Sequence, residues 1–555
     1  MNLLEIFPES PDALAYFSES SRESRGEVLT KREIVEFILD LTGWSHGPGL
    51  RTARLLEPSA GTGDFIIPAI ERLLLACPDR TVGALAGQIR AVEVNRATFE
   101  LCRSRVSQTL ADHGYSPAQV KKLVGSWLIH GDFLTADFPL DFTHVVGNPP
   151  YLRQEALPSA LLKLYRSRYE TMYDRADLYI PFFERGLDLL APDGVLGFIC
   201  ADRWMKNKYG GPLRQFVSDR FHLSYHIDFT GCPAFHDDVI AYPAVTVIRN
   251  GEGKITRTAH RPKVSSENLT RLAKVLISGD KAPDVTDALD VVVASSPWLL
   301  DQPARLNVIR KIEEIFPTLE EAKCQVGIGV ATGVDKIYIR KDDELPVEIE
   351  RKIPIVLTRD LKNGEIDWGG KMLLNPFDGD TPKLVDPKNF PLFAAYLSEN
   401  REAISRRHVA KKNPRNWFKT IDRIYPSLAK TPKLLIPDIK GEPTVVFDEG
   451  HYYPHHNFYY VISKTWELRA LQAVLLSPVA QAFVAAYSLR MRGDCLRYQA
   501  QYLRRIRLPH WEALSKETKE SLTAAGISQD PLEIKLAVQP IFRLDESDWG
   551  KLSGI

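Results

Sequence analysis

Residues 54–76, RLLEPSAGTGDFIIPAIERLLLA, decide how the chain is read. A short apolar run ends in Glu57, Pro58 follows, two glycines sit at Gly61 and Gly63, and an amphipathic stretch continues beyond Phe65. That order is strand, tight turn, helix. Glycines in such a turn permit positive φ and let a ligand come close to the backbone. No Lys or Arg directly follows them, so the turn lacks the cation that a phosphate-cradling loop needs.

Outward from this stretch the same rhythm repeats. From about Arg54 to Arg249 the runs QIRAVEV, SWLIH, FTHVVGN, GVLGFICA, LSYHIDF and VIAYPAVTVIR alternate with amphipathic segments. Strands alternating with helices predict an α/β, doubly wound, mostly parallel sheet, whose ligands bind beyond the carboxyl ends of the strands. Upstream, Thr30 followed by Glu33 forms a capping-box pattern before EIVEFILDL and predicts a helix start. Past Arg249 the rhythm is lost, and the polar stretch 250–266 reads as an exit from the first domain. The division expected is a catalytic domain over 1–250, a connecting segment over 251–300 and a second, mixed α+β domain over 301–555.

Composition narrows the function classes. The length of 555 residues predicts several packed units. The amino terminus has no signal-peptide pattern, and no apolar segment approaches about 18 residues, so a cytoplasmic protein is expected. Six scattered cysteines without a CxxC pair suggest neither disulfides nor a zinc knuckle, and no metal site is expected. Lys plus Arg and Asp plus Glu are both 71, so any basic surface must be local.

Four post-strand positions share one chemistry. The turn at Glu57–Phe65 is the first. Glu93, ending QIRAVEV, can accept hydrogen bonds from ribose hydroxyls, and Asp132 with Phe133, after SWLIH, offers an acceptor for an adenine amino group and a ring against its face. Together they describe a nucleoside pocket with no phosphate to satisfy. The fourth is Asn148-Pro149-Pro150-Tyr151 after FTHVVGN. Its prolines hold the chain extended and remove two donors, so the loop presents acceptors. An exocyclic amino group is a poor nucleophile because its lone pair is delocalised. The Asn148 side-chain oxygen and the Pro149 carbonyl can bind its N–H groups and favour the positive charge that develops on alkylation. Tyr151 supplies a face for a flipped base.

These motifs, EPSAGTGDF, Glu93, GDF at 131–133 and NPPY at 148–151, resemble in order those of the gamma-class N6-adenine DNA methyltransferases of restriction-modification systems, with a TaqI-like catalytic domain. The resemblance implies a Rossmann-like S-adenosylmethionine-dependent domain followed by a target-recognition domain. It implies cofactor contacts from Thr30, Glu57, Pro58, Gly61, Gly63, Glu93, Asp132 and Phe133, catalysis at Asn148, Pro149, Pro150 and Tyr151, and a further aromatic on the base, for which Phe235 is the candidate. Double-stranded DNA is the implied partner, with a separately encoded endonuclease reading the same site.

The second half points the same way. VGIGVATGVDKIYI at 326–339 resembles the start of target-recognition domains in these enzymes. Two basic stretches carry aromatics: RRHVAKKNPRNWFK at 406–419, with Trp417, and SLRMRGDCLRYQAQYLRRIRLP at 488–509, with Arg490, Arg492, Arg497 and Tyr498. Arginine reads phosphates and guanine edges, so these are candidate DNA contacts. The NPPY loop alone does not name the polymer: a protein glutamine amide or an RNA base would suit the same chemistry, and a catalytically silent DNA-binding module is a third reading. Asp530 with Glu533 and Lys535 lacks strand context, and no nuclease is expected.

Overall fold

The computed structural model describes residues 16–553 apart from 18–19, 22–24, 46, 139–140, 237–241, 301–302, 363, 441–442 and 489–495. The chain forms two units, Met1–Pro303 and Ala304–Ile555.

The first unit is built on nine strands: β1 (Leu55–Glu57), β2 (Ile89–Glu93), β3 (Leu128–His130), β4 (Phe142–Gly147), β5 (Leu190–Ala201), β6 (His222–Asp228), β7 (Pro243–Arg249), β8 (Ile255–His260) and β9 (Thr286–Leu289). Their order is β3-β2-β1-β4-β5-β7-β6-β8-β9. The run from β3 to β5 is parallel, and β7 is antiparallel to both its neighbours. The winding goes outward from β1 to β3 and then returns to β4, so β1 and β4 flank the switch point where such sheets bind ligands.

Both faces of the sheet are covered. Adjacent residues of one strand serve opposite cores: Leu55, Val146 and Ile199 pack with helices Arg32–Thr42 and Ile66–Ala76, whereas Leu56, Val145 and Phe198 pack with helix Tyr179–Asp188. This is the period of two expected of a strand buried on both sides.

Two expectations are corrected here. The helix after Thr30 begins at Arg32, with Lys31 at its N-cap and no side-chain cap bond. Thr30 is instead in a β-bridge with Phe235 and its hydroxyl accepts from the Asn148 amide, because the stretch around it pairs on both sides. Lys31 N–H donates to Ala234 O (3.1 Å), His236 N–H to Leu29 O (3.1 Å) and Tyr151 N–H to Gly26 O (2.9 Å). Residues 251–300 are not a connector: β8 and β9 extend the sheet, and helix Ser266–Ser278 shares a core with helix Arg32–Thr42. The strands are short and polar-flanked, so the sequence pattern hid them.

The second unit holds two four-stranded sheets. One runs Cys324–Ile328, Phe458–Ser463, Lys433–Pro437, Val446–Asp448, and the other Ile339–Lys341, Lys371–Leu374, Lys352–Val356, Tyr453–Pro454. Its helices include Leu468–Leu476, Pro478–Tyr487 and Lys516–Ser528. Among the described residues no single helix is long and apolar enough to cross a membrane.

Candidate active site

The carboxyl ends of β1, β2, β3 and β4 open on one cleft of about 850 Å³, mouth included. Among its lining are Thr30, Glu57, Pro58, Gly61, Glu93, Asp132, Phe133, Asn148 and Pro150. The size suits a nucleoside-sized ligand.

The turn after β1 takes the conformation its glycines allow, with φ of +55° at Gly61 and +100° at Gly63. The two differ in role. A Cβ at Gly61 would have only the Glu27 Oε1 atom nearby, at 4.0 Å, on the cleft side. At Gly63 it would meet Cys102 Sγ and Ile67 Cδ1, both at 3.3 Å, inside the core. Gly63 does not line the cleft; it permits the close approach of turn and helices.

Three carboxylates converge here. Glu57 is 1% exposed and its Oε2 has no hydrogen-bond partner. Burial, and then the nearby Asp64 and Glu93 charges, push its pKa well above the usual carboxylate range. Burial also raises Glu93, to about 7, although its oxygens accept from Asn95 N–H (2.7 Å) and Gly61 N–H (2.9 Å). Asp132 is raised by burial as well. Its Oδ1 accepts from Leu134 N–H (3.0 Å), and its Oδ2 from Thr135 Oγ1 (3.2 Å) and Tyr165 OH (3.1 Å). Those three bonds leave about one of a carboxylate's roughly four acceptor positions for an adenine amino group. Phe133 is 2% exposed, with its ring 5.0 Å from that of Phe182.

A buried carboxylate oxygen without a partner calls for a cation. The methionine part of S-adenosylmethionine carries an ammonium group, so the orphaned Glu57 oxygen fits that molecule.

The loop after β4 is fastened to the turn after β1. Ser59 Oγ donates to the Asn148 backbone carbonyl (2.9 Å), and Pro58 stands where a Cβ at Gly147 would point. The Asn148 side-chain nitrogen donates to Val28 O (2.8 Å) and Thr30 Oγ1 (3.1 Å), while its Oδ1 is buried without a partner. The amide is held by its nitrogen and presents a free acceptor. Pro149 is buried; neither it nor Tyr151 lines the cleft. Tyr151 is half-buried, its ring perpendicular to Phe235 (80°) with centroids 6.1 Å apart. The structure therefore places Phe235 against the loop at 148–151.

Residues beyond the candidates named from sequence also enter the cleft. Arg25 and Glu27 form an ion pair at 2.7 Å and both line it, as do Phe17, Tyr165 and Phe182. Arg25 and Glu27 lie in a loop ahead of a helix, and Tyr165 and Phe182 on helices whose apolar pattern reads as core, so only nearness to the glycine turn in space could have found them.

The basic stretches of the second unit are corrected in part. Tyr498 is 4% exposed, and Arg497 is paired with Asp438. Arg504 binds Glu320 (2.7 Å) and the Val326 carbonyl (3.0 Å). Trp417 is half-buried beneath Arg401, 5.2 Å from its ring centroid. These groups satisfy the unit's own carboxylates, carbonyls and rings, which is the other use of a planar guanidinium. Arg490 and Arg492 lie outside the described residues.

Residues 91–235 match the Eco57I restriction-modification methylase family, and residues 358–508 the TaqI-like C-terminal specificity domain. The chain is 50% identical over 539 residues to the type II methyltransferase M.XhoI of Xanthomonas vasicola, covering 95% of this chain and 98% of that one. It is 49% identical over 552 residues to M.PaeR7I of Pseudomonas aeruginosa, also a type II methyltransferase, covering 98% and 96%. Among solved structures it resembles the type IIL restriction-modification enzyme MmeI in complex with DNA, with a TM-score of 0.63 at 12% identity, over 100% of this chain and 78% of that one, a likeness of fold alone.

Proposed function

The chain belongs to the type II methyltransferases of restriction-modification systems, and from that premise we propose that the group it methylates is the N6 amino group of an adenine flipped out of double-stranded DNA. S-adenosylmethionine is its methyl donor. The observation that carries the adenine assignment is the Asn148 amide, anchored through nitrogen with its oxygen buried and unpartnered.

When bound, S-adenosylmethionine supplies an electrophilic methyl group on a sulfonium centre. Glu57 would hold its ammonium group, Glu93 its ribose hydroxyls and Asp132 its adenine amino group, with Phe133 beside the ring. Asn148 Oδ1 and the Pro149 carbonyl accept from the two N–H groups of the target nitrogen and draw it out of conjugation. Neither acceptor is basic enough to remove the proton, so their part is to stabilise the charge that grows on nitrogen, more in the transition state than before it. Because Val28 O and Thr30 Oγ1 fix the amide in advance, little reorganisation is required during reaction. Tyr151 is the aromatic face offered to the extruded base, with the buried Phe235 packed edge-to-face behind it.

The specificity domain supports a duplex DNA substrate over a glutamine amide or an RNA base, and the family setting supports a separately encoded endonuclease reading the same site in the cytoplasm. The test is expression of the full chain in a host lacking adenine methylation, followed by sequencing of its genomic DNA for modified bases. N6-methyladenine at one recurring sequence is the expected result. N4-methylcytosine, or unmodified DNA with methylated protein or RNA, would overturn the proposal.

A further inference from the structure

His455 and His456 enter a tight turn, and their rings lie 4.0 Å apart with 49° between their planes. The backbone is fixed on three sides to make this so. His455 N–H donates to Val356 O (3.3 Å), His456 N–H to Val330 O (3.1 Å) and Phe458 N–H to His455 O (2.8 Å). Gly329 is needed there, since a Cβ would run into the Pro454 and His455 carbonyl oxygens.

The segment at 326–339 supplies a third group. Asp335 opens the short helix Asp335–Tyr338; its Oδ1 accepts from Thr332 Oγ1 (2.6 Å), and its Oδ2 is 3.0 Å from His455 Nε2. Potential ligand atoms of Asp335, His455 and His456 all lie within 4.8 Å of one another.

The polar accounting of this cluster does not close. Nδ1 of His455 and Nδ1 of His456 are both buried with no hydrogen-bond partner. Native structures rarely leave such atoms unpaired, and an ion is one of the few things that explains them. Imidazole nitrogens with one carboxylate oxygen, on a rigid backbone, form a donor set suited to zinc and its neighbours rather than to calcium or magnesium.

We propose that Asp335, His455 and His456 form a binding site for one divalent transition-metal ion of the zinc class in the second unit. The ion joins the 326–339 segment to the turn at 453–458. Asp422, whose Oδ2 accepts from Ala331 N–H (2.9 Å), adds a second negative charge near His456. Three protein ligands leave one position open, and the adjoining cavity, lined by Lys336, Thr358, Arg359, Lys371 and Asn457, suits water or an anionic oxygen there. Sequence offered no metal signature because Asp335 stands 120 positions from His455.

The experiment uses the untagged full chain, stripped with a chelator and titrated with Zn2+ alone. One zinc per chain and a raised Tm are expected, and Asp335→Asn and His456→Gln should each bind at least about tenfold more weakly, with an unchanged far-UV circular dichroism spectrum of the metal-free protein as the check on folding. No zinc above background, or wild-type zinc affinity in both variants, overturns the site. Co2+ added to the wild type gives a reading independent of the variants. Visible d–d bands without thiolate charge transfer support the proposal, whereas a charge-transfer band would put the metal on cysteine and overturn it.

Discussion

Asn148 and Glu93 carry the sharpest consequences of single side chains. Removing the Asn148 amide takes away an acceptor aimed at developing charge, so Asn148→Ala should lose about 10²–10³ in single-turnover rate while keeping S-adenosylmethionine affinity. A near-normal rate would remove it from catalysis. Tyr151→Phe gives up only a long hydroxyl contact to the Ile199 carbonyl (3.4 Å) and should stay active, whereas Tyr151→Ala should lose roughly 1–3 kcal/mol of base stacking, read from single-turnover kinetics on a normal duplex. Burial raises Glu93 to about 7 and raises Glu57 as well. An acid whose folded pKa lies above its unfolded value stabilises the fold fully below the unfolded pKa, and that contribution is lost as pH rises through the folded value. The ligand-free protein should therefore lose stability between about pH 4.5 and 7. Binding has the opposite sign, since ribose hydroxyls and an ammonium need ionised carboxylates. Calorimetric Kd for S-adenosylmethionine should weaken as pH falls below about 7, with a shallower dependence in Glu93→Gln; equal slopes in the two proteins would refute the assignment.

At the scale of elements, the two glycines of the turn after β1 separate ligand access from folding. A Cβ at Gly61 faces open space, so Gly61→Ala should cut S-adenosylmethionine affinity with a Tm change reflecting only the backbone cost, about 1–2 kcal/mol. At Gly63 the added carbon meets Cys102 and Ile67 at a φ no alanine favours, so Gly63→Ala should lower Tm more, and thermal scans beside binding titrations will tell them apart. The sequence made the strand-turn-helix order legible because apolar period and glycine placement are local properties. The helix Ile66–Ala76 is the very run IIPAIERLLLA, and β4 delivers NPPY to the switch point. What stayed hidden depends on partners far along the chain. Thr30 and Glu33 fit a capping box, but pairing with Phe235 and the Asn148 amide claims Thr30 first. Tyr498 and Arg497 fit a DNA-reading surface by composition, yet Tyr498 is buried, its N–H donating to the Asp438 carbonyl, and Arg497 is paired with the Asp438 side chain.

Across the whole molecule, every residue lining the cleft belongs to the first unit. A chain ending at residue 302 should bind S-adenosylmethionine within a few-fold of the full-length Kd yet fail to modify a specific site; loss of cofactor binding by a soluble, folded fragment would contradict this division. The order in which the site is assembled differs from the order of the sequence. The segment at 26–31, which clasps Asn148 and Tyr151, is itself paired with Ala234 and His236. During synthesis the ribosome must therefore produce some two hundred further residues before that segment finds its second neighbour, which takes roughly 10–40 s at ordinary elongation rates. Within that interval the glycine turn is made, but the active site is complete only once Ala234 and His236 have emerged. The site is therefore closed late, yet before the second unit is made, so a chain stalled upstream of residue 234 would carry the glycine turn without a finished active site.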